Sequence, residues 1–182
     1  PDRDGSLVVY GTSGSGKSTL LKTIATAAGM RPDHGPVQVY CLDFASGALG
    51  ALTALPHVGS VVDSNDPERI QRLLRTLDAE MDRRSAAFSA ASASSVQEYR
   101  ELADPKMPRI LLLIDNYPDF KKEWEITQGR GAFYRVFMRI LGEGRTLGVH
   151  TVITADRGNA VPSAVAANIS RRVVLRMGAD SQ

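Results

Sequence analysis

"LVVYGTSGSGKSTLL", residues 7–21, decides the fold. A short apolar run, Leu7 to Tyr10, breaks into a glycine-rich loop and leaves it as a helix. The loop Gly11-Thr12-Ser13-Gly14-Ser15-Gly16-Lys17-Ser18 fits the phosphate-loop pattern G-x-x-x-x-G-K-[ST]. The glycines let the backbone turn tightly and aim successive N–H groups into one concavity. A helix beginning near Lys17 adds its positive N-terminal end. The Lys17 ammonium can reach β and γ phosphates, and the Ser18 hydroxyl is a ligand for Mg²⁺. Thr19 falls nearer the α phosphate. A chance match is expected in roughly one in a hundred chains of this size. The strand–loop–helix order makes chance rarer still, so the stretch predicts a nucleoside-triphosphate site.

Outward from this loop, short apolar runs alternate with longer amphipathic segments. That is the pattern of an α/β protein with a mostly parallel sheet and helices on both faces. Strands are expected at 7–10, 37–42, 60–62, 110–114, 149–154 and 172–175. The first helix runs over 17–28 and stops at Gly29, a good C-terminal residue. A second is opened by Asp66 as N-cap and Pro67 at the first helical position. Its Ile70, Leu73, Leu74, Leu77 and Met81 form one apolar face. The arginines among them (Arg69, Arg72, Arg75, Arg83, Arg84) suit an anionic partner or, with carboxylates interleaved, a solvated face, and the second reading is favoured. "SAAFSAASASS", 85–95, is a low-complexity bridge, helical or loose. A short segment is expected around 96–102 and a further helix at 132–141. The latter carries Phe133, Val136, Phe137 and Ile140 at core spacing.

"LLLIDNYPDF", 111–120, supplies the other half of the site. An apolar strand delivers Asp115, which holds Mg²⁺ through water while Ser18 holds it directly. Hydrolysis also needs a base or orienting group for the attacking water. A glutamate usually follows the aspartate, but here the residue is Asn116, whose amide can orient water and not deprotonate it. Asp119, Glu123 and Glu125 are the nearest carboxylates, and recruiting one costs geometry. Thr154, at the end of "VHTVIT", reads as a γ-phosphate sensor or as a strand-end cap. Arg145, just ahead of that strand, reads as a finger offered to a neighbouring subunit's nucleotide or as a surface arginine. His34, His57 and His150 are dispersed without metal-ligand spacing, so Mg²⁺ is the one metal expected.

The composition narrows the classes. Hydrophobic content of 43% and charged content of 23% are ordinary for a soluble domain. A net charge of +2 gives no global argument for nucleic-acid binding. Cys41 is the single cysteine, which excludes an internal disulfide and suits a reducing compartment. No stretch reaches the ~18 apolar residues that span a membrane, and the polar start shows no signal peptide. One domain over 1–182 is expected, cut from a longer protein.

Taken in order, the motifs resemble the FtsK/SpoIIIE family of P-loop motor ATPases over nearly the whole chain. The matching pieces are "GTSGSGKST", "LPHVGSVVDSNDPERIQRLLRTLDAEMDRR", "VQEYRE", "ILLLID", "GRTLGVHTVITADR" and "VPSAVAANISRRVVLRM". The resemblance implies a RecA-like P-loop core, ATP with Mg²⁺, and assembly with like domains in a ring or row. "YCLDFASGALGALTALPHVG", 40–59, is similar to the type VII secretion ATPases (EccC-like) rather than to the DNA translocases, which usually carry Asp-Pro-Lys there. Replacement of the hydrolytic glutamate is also common in second and third EccC-like domains. The resemblance therefore implies a downstream, regulatory ATP-binding module of a secretion motor, weakly or non-hydrolysing. Its parent would be anchored at the inner face of the cell membrane, with no membrane contact by this fragment. Its partners would be neighbouring ATPase domains and small helical export substrates or a linker peptide. The competing expectation is a translocase motor acting on duplex DNA. "TADRGN" stands where translocases usually have Thr-Gln-Arg-Pro, placing Asp156 near the sensor, pointing away or meeting Arg157.

Overall fold

The structure, a computed structural model, describes residues 5–30 and 35–177. His34 lies outside the described residues. Six strands, β1 (Leu7–Tyr10), β2 (Val37–Asp43), β3 (Val58–Asp63), β4 (Arg109–Asp115), β5 (Val149–Ala155) and β6 (Arg171–Val174), form one sheet. Their spatial order is β3-β2-β4-β5-β1-β6 and every pairing is parallel. All strand C-termini thus open onto one edge, where parallel α/β sheets place their ligands.

Strand parity sorts the core into two layers. Val9, Val39, Cys41, Leu113 and Val152 face α1 (Lys17–Gly29) and the 3-10 turn Gly50–Ala54, packing against Leu21, Ala25, Leu49 and Leu52. Val8, Leu42, Ile110, Leu112, Ile114, Val149 and Ile153 face the opposite layer. That layer holds α2 (Pro67–Ala90), α4 (Tyr117–Glu125), α5 (Gly131–Glu143) and α6 (Ser163–Ala166). The seventh helix-like element of note, α3 (Val96–Leu102), seats Val96 beside Phe88 and Met107. Burial pushes the Cys41 thiol up to about 12, helped by the nearby Asp43 carboxylate, so the thiol stays protonated.

α2 starts as expected, with the Asp66 carboxylate accepting from the Arg69 backbone N–H at 3.1 Å. It continues through the first part of the low-complexity bridge to Ala90, because the alanines favour helix and Phe88 is buried. Several of its arginines are engaged by the molecule itself. Arg84 is fully buried, bonded to Glu80 (2.7 Å) and to the carbonyls of Leu147 (2.8 Å) and Pro108 (2.7 Å). Arg83 pairs with Glu80, and Arg75 lies over the Phe133 ring. Across the layer, Arg139 of α5 meets Asp78 and Asp82 of α2.

The helix α4 was not expected from the sequence. Pro118 sits in its first turn, where a missing N–H costs nothing. Tyr117, Phe120 and Trp124 bury one face against Phe44, Tyr134 and Phe137. The Tyr117 and Tyr134 hydroxyls bond at 2.7 Å, and burial raises the Tyr117 pKa well above the ordinary phenol value. β3 is longer than expected, β6 is shifted by one residue, and α5 gains a residue at its start and two at its end.

Candidate functional site

Asp115 shares strand parity with Leu113, so its carboxylate emerges on the α1 side, beside the helix that the glycine loop starts. The Ser18 hydroxyl donates to Asp115 Oδ2 at 2.5 Å. Thr154, on the neighbouring strand, donates to Asp115 Oδ1 at 2.7 Å and accepts from the Asn116 backbone N–H at 2.8 Å. Asp115 is therefore nearly fully buried and held from both sides. Two hard oxygen donors this close suit Mg²⁺, which takes oxygen ligands and keeps several waters.

The loop between β1 and α1 is built as a cradle. Gly14 and Gly16 have φ of +71° and +98°, values costly for any residue with a Cβ. Apart from its chain neighbours, a Cβ added at either would meet no atom within 4 Å, so the loop keeps open space in front of them. Lys17 Nζ donates to the carbonyls of Gly11 (2.6 Å) and Thr12 (3.0 Å), which hold the ammonium over the loop. The helix α1 begins at Lys17 with no side-chain cap and no acidic residue in its first turn. Its free N–H groups and dipole therefore face the cavity. That cavity has a volume of about 620 Å³, within the range of small-molecule sites. The residues present fit a magnesium nucleotide.

Of the loop residues, Ser13, Gly14, Gly16, Lys17, Ser18 and Thr19 line the cavity. Gly11, Thr12 and Ser15 shape it from behind. Thr12 binds the Arg176 carbonyl through both its N–H and its hydroxyl, each at 3.1 Å. Thr154 also stands behind the wall, fully buried. Its hydroxyl is used in fixing Asp115 and Asn116, which fits the strand-end reading of the two that the sequence left open. Arg145 lies in the loop before β5, at the other end of that strand, close to Gly5. Seven residues of strand span roughly 20 Å, so Arg145 does not belong to its own molecule's cavity.

The contribution of Asp43 was not legible beforehand. The buried Asp43 carboxylate accepts from the backbone of Ala45 (3.1 Å), Gly47 (3.3 Å) and Leu49 (3.0 Å). It folds the loop that brings Ala45 and Ser46 to the cavity. Asp156 lines the cavity and also meets Arg157 at 3.2 Å. Asp119 and Pro118, at the start of α4, complete the wall. Asn116 sits at φ +66° and ψ +66°, a left-handed conformation that asparagine tolerates better than most residues. Its amide donates to the Phe44 carbonyl (3.1 Å) and to Asp119 Oδ2 (2.6 Å). Among the described residues no cluster of three or more histidine, cysteine or carboxylate groups is placed to hold another metal.

A glycine cradle facing a strand-end carboxylate, on a parallel sheet of this order, is the architecture of the P-loop nucleotide-binding proteins with a RecA-like core. The model of the FtsK/SpoIIIE family matches residues 2–182, and the chain belongs to that family. It is 33% identical to the ESX-4 secretion system protein EccC4 of Mycobacterium tuberculosis over 98% of this chain and 14% of that protein. The solved cytoplasmic domain of the Thermomonospora curvata type VII secretion ATPase EccC superposes with a TM-score of 0.86 at 28% identity, over 97% of this chain and 21% of that one. The structure of ATPases 2 and 3 of the same protein with a signal sequence peptide superposes with a TM-score of 0.85 at 28% identity, over 95% and 31%. The chain thus spans 14% of the length of the curated relative and about a third or less of the solved chains. Among the described residues no helix is long and apolar enough to cross a membrane.

Proposed function

We propose that this chain is a nucleotide-holding module of a type VII secretion ATPase. It binds Mg–ATP, hydrolyses it weakly, and contributes to recognition or regulation of exported proteins. The observation that carries the reading is Asn116, which follows Asp115 where a hydrolytic site usually has a glutamate, and whose amide hydrogens are committed to Phe44 and Asp119.

Each residue has a task in this reading. The loop N–H groups and Lys17 bind the phosphates. Ser18 and Asp115 would hold Mg²⁺, and Thr154 keeps Asp115 in its rotamer. When bound, the metal neutralises charge between the β and γ phosphates. Asn116 orients without accepting a proton. Arg145, out of reach of its own cavity, is offered to the nucleotide of an adjoining ATPase domain, in the same chain or in a ring. The likeness to the T. curvata protein solved with a signal sequence peptide supports a peptide partner, either an export signal or a linker. The domain works on the cytoplasmic side, joined to the membrane through its parent chain.

The test is steady-state turnover of the protein beside Asn116→Glu, with nucleotide affinity measured in parallel. Placing a carboxylate after Asp115 raises turnover by roughly tenfold or more, about 1.4 kcal/mol in the barrier. The left-handed backbone costs the variant about 1 kcal/mol of stability. Fast turnover in the unaltered protein would reverse the reading, and stimulation by duplex DNA would favour a translocase motor.

A further inference from the structure

We propose that Asp119 is the water-side carboxylate of this cavity and that Asn116 is the residue that holds it there. The inference rests on the reading of the cavity as a Mg–ATP site.

Asp119 lies on the first turn of α4, exposed, in the same cavity wall as Lys17, Ser18 and Asp115. One of its oxygens, Oδ2, accepts from Asn116 Nδ2 at 2.6 Å. The other amide hydrogen of Asn116 goes to the Phe44 carbonyl at 3.1 Å. Both donors are then spent, and the amide is a fixed bracket between the β2 loop and α4. A carboxylate bonded through one oxygen keeps its second oxygen for water. It can take a proton, which an amide cannot do at neutral pH.

The bracket is continuous with the metal side. From Ser18 the bonds run to Asp115 (2.5 Å), on to Thr154 (2.7 Å), then to the Asn116 backbone (2.8 Å), and through its side chain to Asp119 (2.6 Å). The two carboxylates that hydrolysis requires, one on the metal and one on water, are thus set by one run of bonds. The other nearby carboxylates are engaged elsewhere: Asp156 with Arg157, Glu123 with Arg130, and Glu125 with Lys121.

In the step assigned to it, a water oxygen bonds to the γ phosphorus. The bond from that phosphorus to the bridging oxygen breaks, and its electron pair leaves with ADP. The water's proton passes to Asp119 and from there to solvent. The slow turnover expected of this module therefore depends on Asp119, with Asn116 as its positioning residue; Asn116→Glu gains because its own carboxylate then takes the water in place of Asp119.

The experiment compares Asp119→Asn, Asp119→Ala, Asn116→Ala and their double variant with the unaltered protein. Two readouts are taken, release of phosphate from ATP and affinity for a non-hydrolysable ATP analogue. Each single variant is expected to lose roughly tenfold or more of the turnover while the analogue binds as tightly or more tightly. The double variant falls no further, since the two residues act as one unit. Glu123→Gln is expected to keep its rate. Unchanged turnover in the Asp119 variants overturns the inference, as does weakened analogue binding. Turnover of the unaltered protein no higher than that of Lys17→Ala also overturns it, yet leaves the nucleotide-binding reading standing on the measured affinity. Loss of analogue binding by the unaltered protein strikes that reading instead.

Discussion

Lys17 concentrates the positive charge of the cavity, because three of the groups around it, Asp115, Asp119 and Asp156, are carboxylates. Removing its charge leaves the loop N–H groups to oppose a triphosphate alone. Lys17→Ala is therefore expected to weaken ATP binding by at least tenfold, about 1.4 kcal/mol, as read by calorimetric titration with Mg–ATP. Its fold should be kept, since the ammonium bonds only to loop carbonyls of Gly11 and Thr12. At this scale the sequence was most informative where function is local. The loop residues and Asp115 are recognised from their neighbours along the chain, because local backbone geometry sets their chemistry. The roles of Thr154 and Asp119 were left open, because the partners that define them lie on another strand or across a helix turn.

Among the elements, α2 shows how a polar residue can carry packing. Arg84 is sealed in and ties the helix to the segment before β4 and the loop before β5 through two carbonyls. Burial lowers its pKa, opposed by its bond to the Glu80 carboxylate. Its removal leaves those carbonyls and Glu80 unanswered. Arg84→Ala is expected to cost about 3 kcal/mol, a drop of roughly 6–12 °C in Tm by calorimetry. The sequence read Arg84 as part of an exposed face because arginine is rarely buried fully. Helix α4 was missed for a related reason. Its apolar residues reach the core only where Phe44 and α5 close over them. Helices α2 and α5 were legible from spacing alone, since each has an apolar stripe that requires no knowledge of its partner, and α1 from the loop that opens it and the glycine that closes it.

Across the molecule, the cavity is an assembly of four separated segments: residues 13–19, 45–46, 115–119 and 155–156. They meet only because all six strands run the same way and end on one edge. The order of strands has a consequence in time. β1 carries the phosphate loop, yet its two neighbours in the sheet are β5 and β6, the last strands among the described residues. Long-range parallel pairing is slow, because loop closure comes before the contacts that reward it. In stopped-flow refolding, the signal of Trp124, the single tryptophan, is expected to change before or together with recovery of binding to a fluorescent nucleotide, and never after it. A ribosome makes the phosphate loop before the strands that flank it. Until β5 and β6 emerge, the nascent segment therefore carries a complete nucleotide motif that lacks both its sheet neighbours, and ATP can greet only a finished sheet.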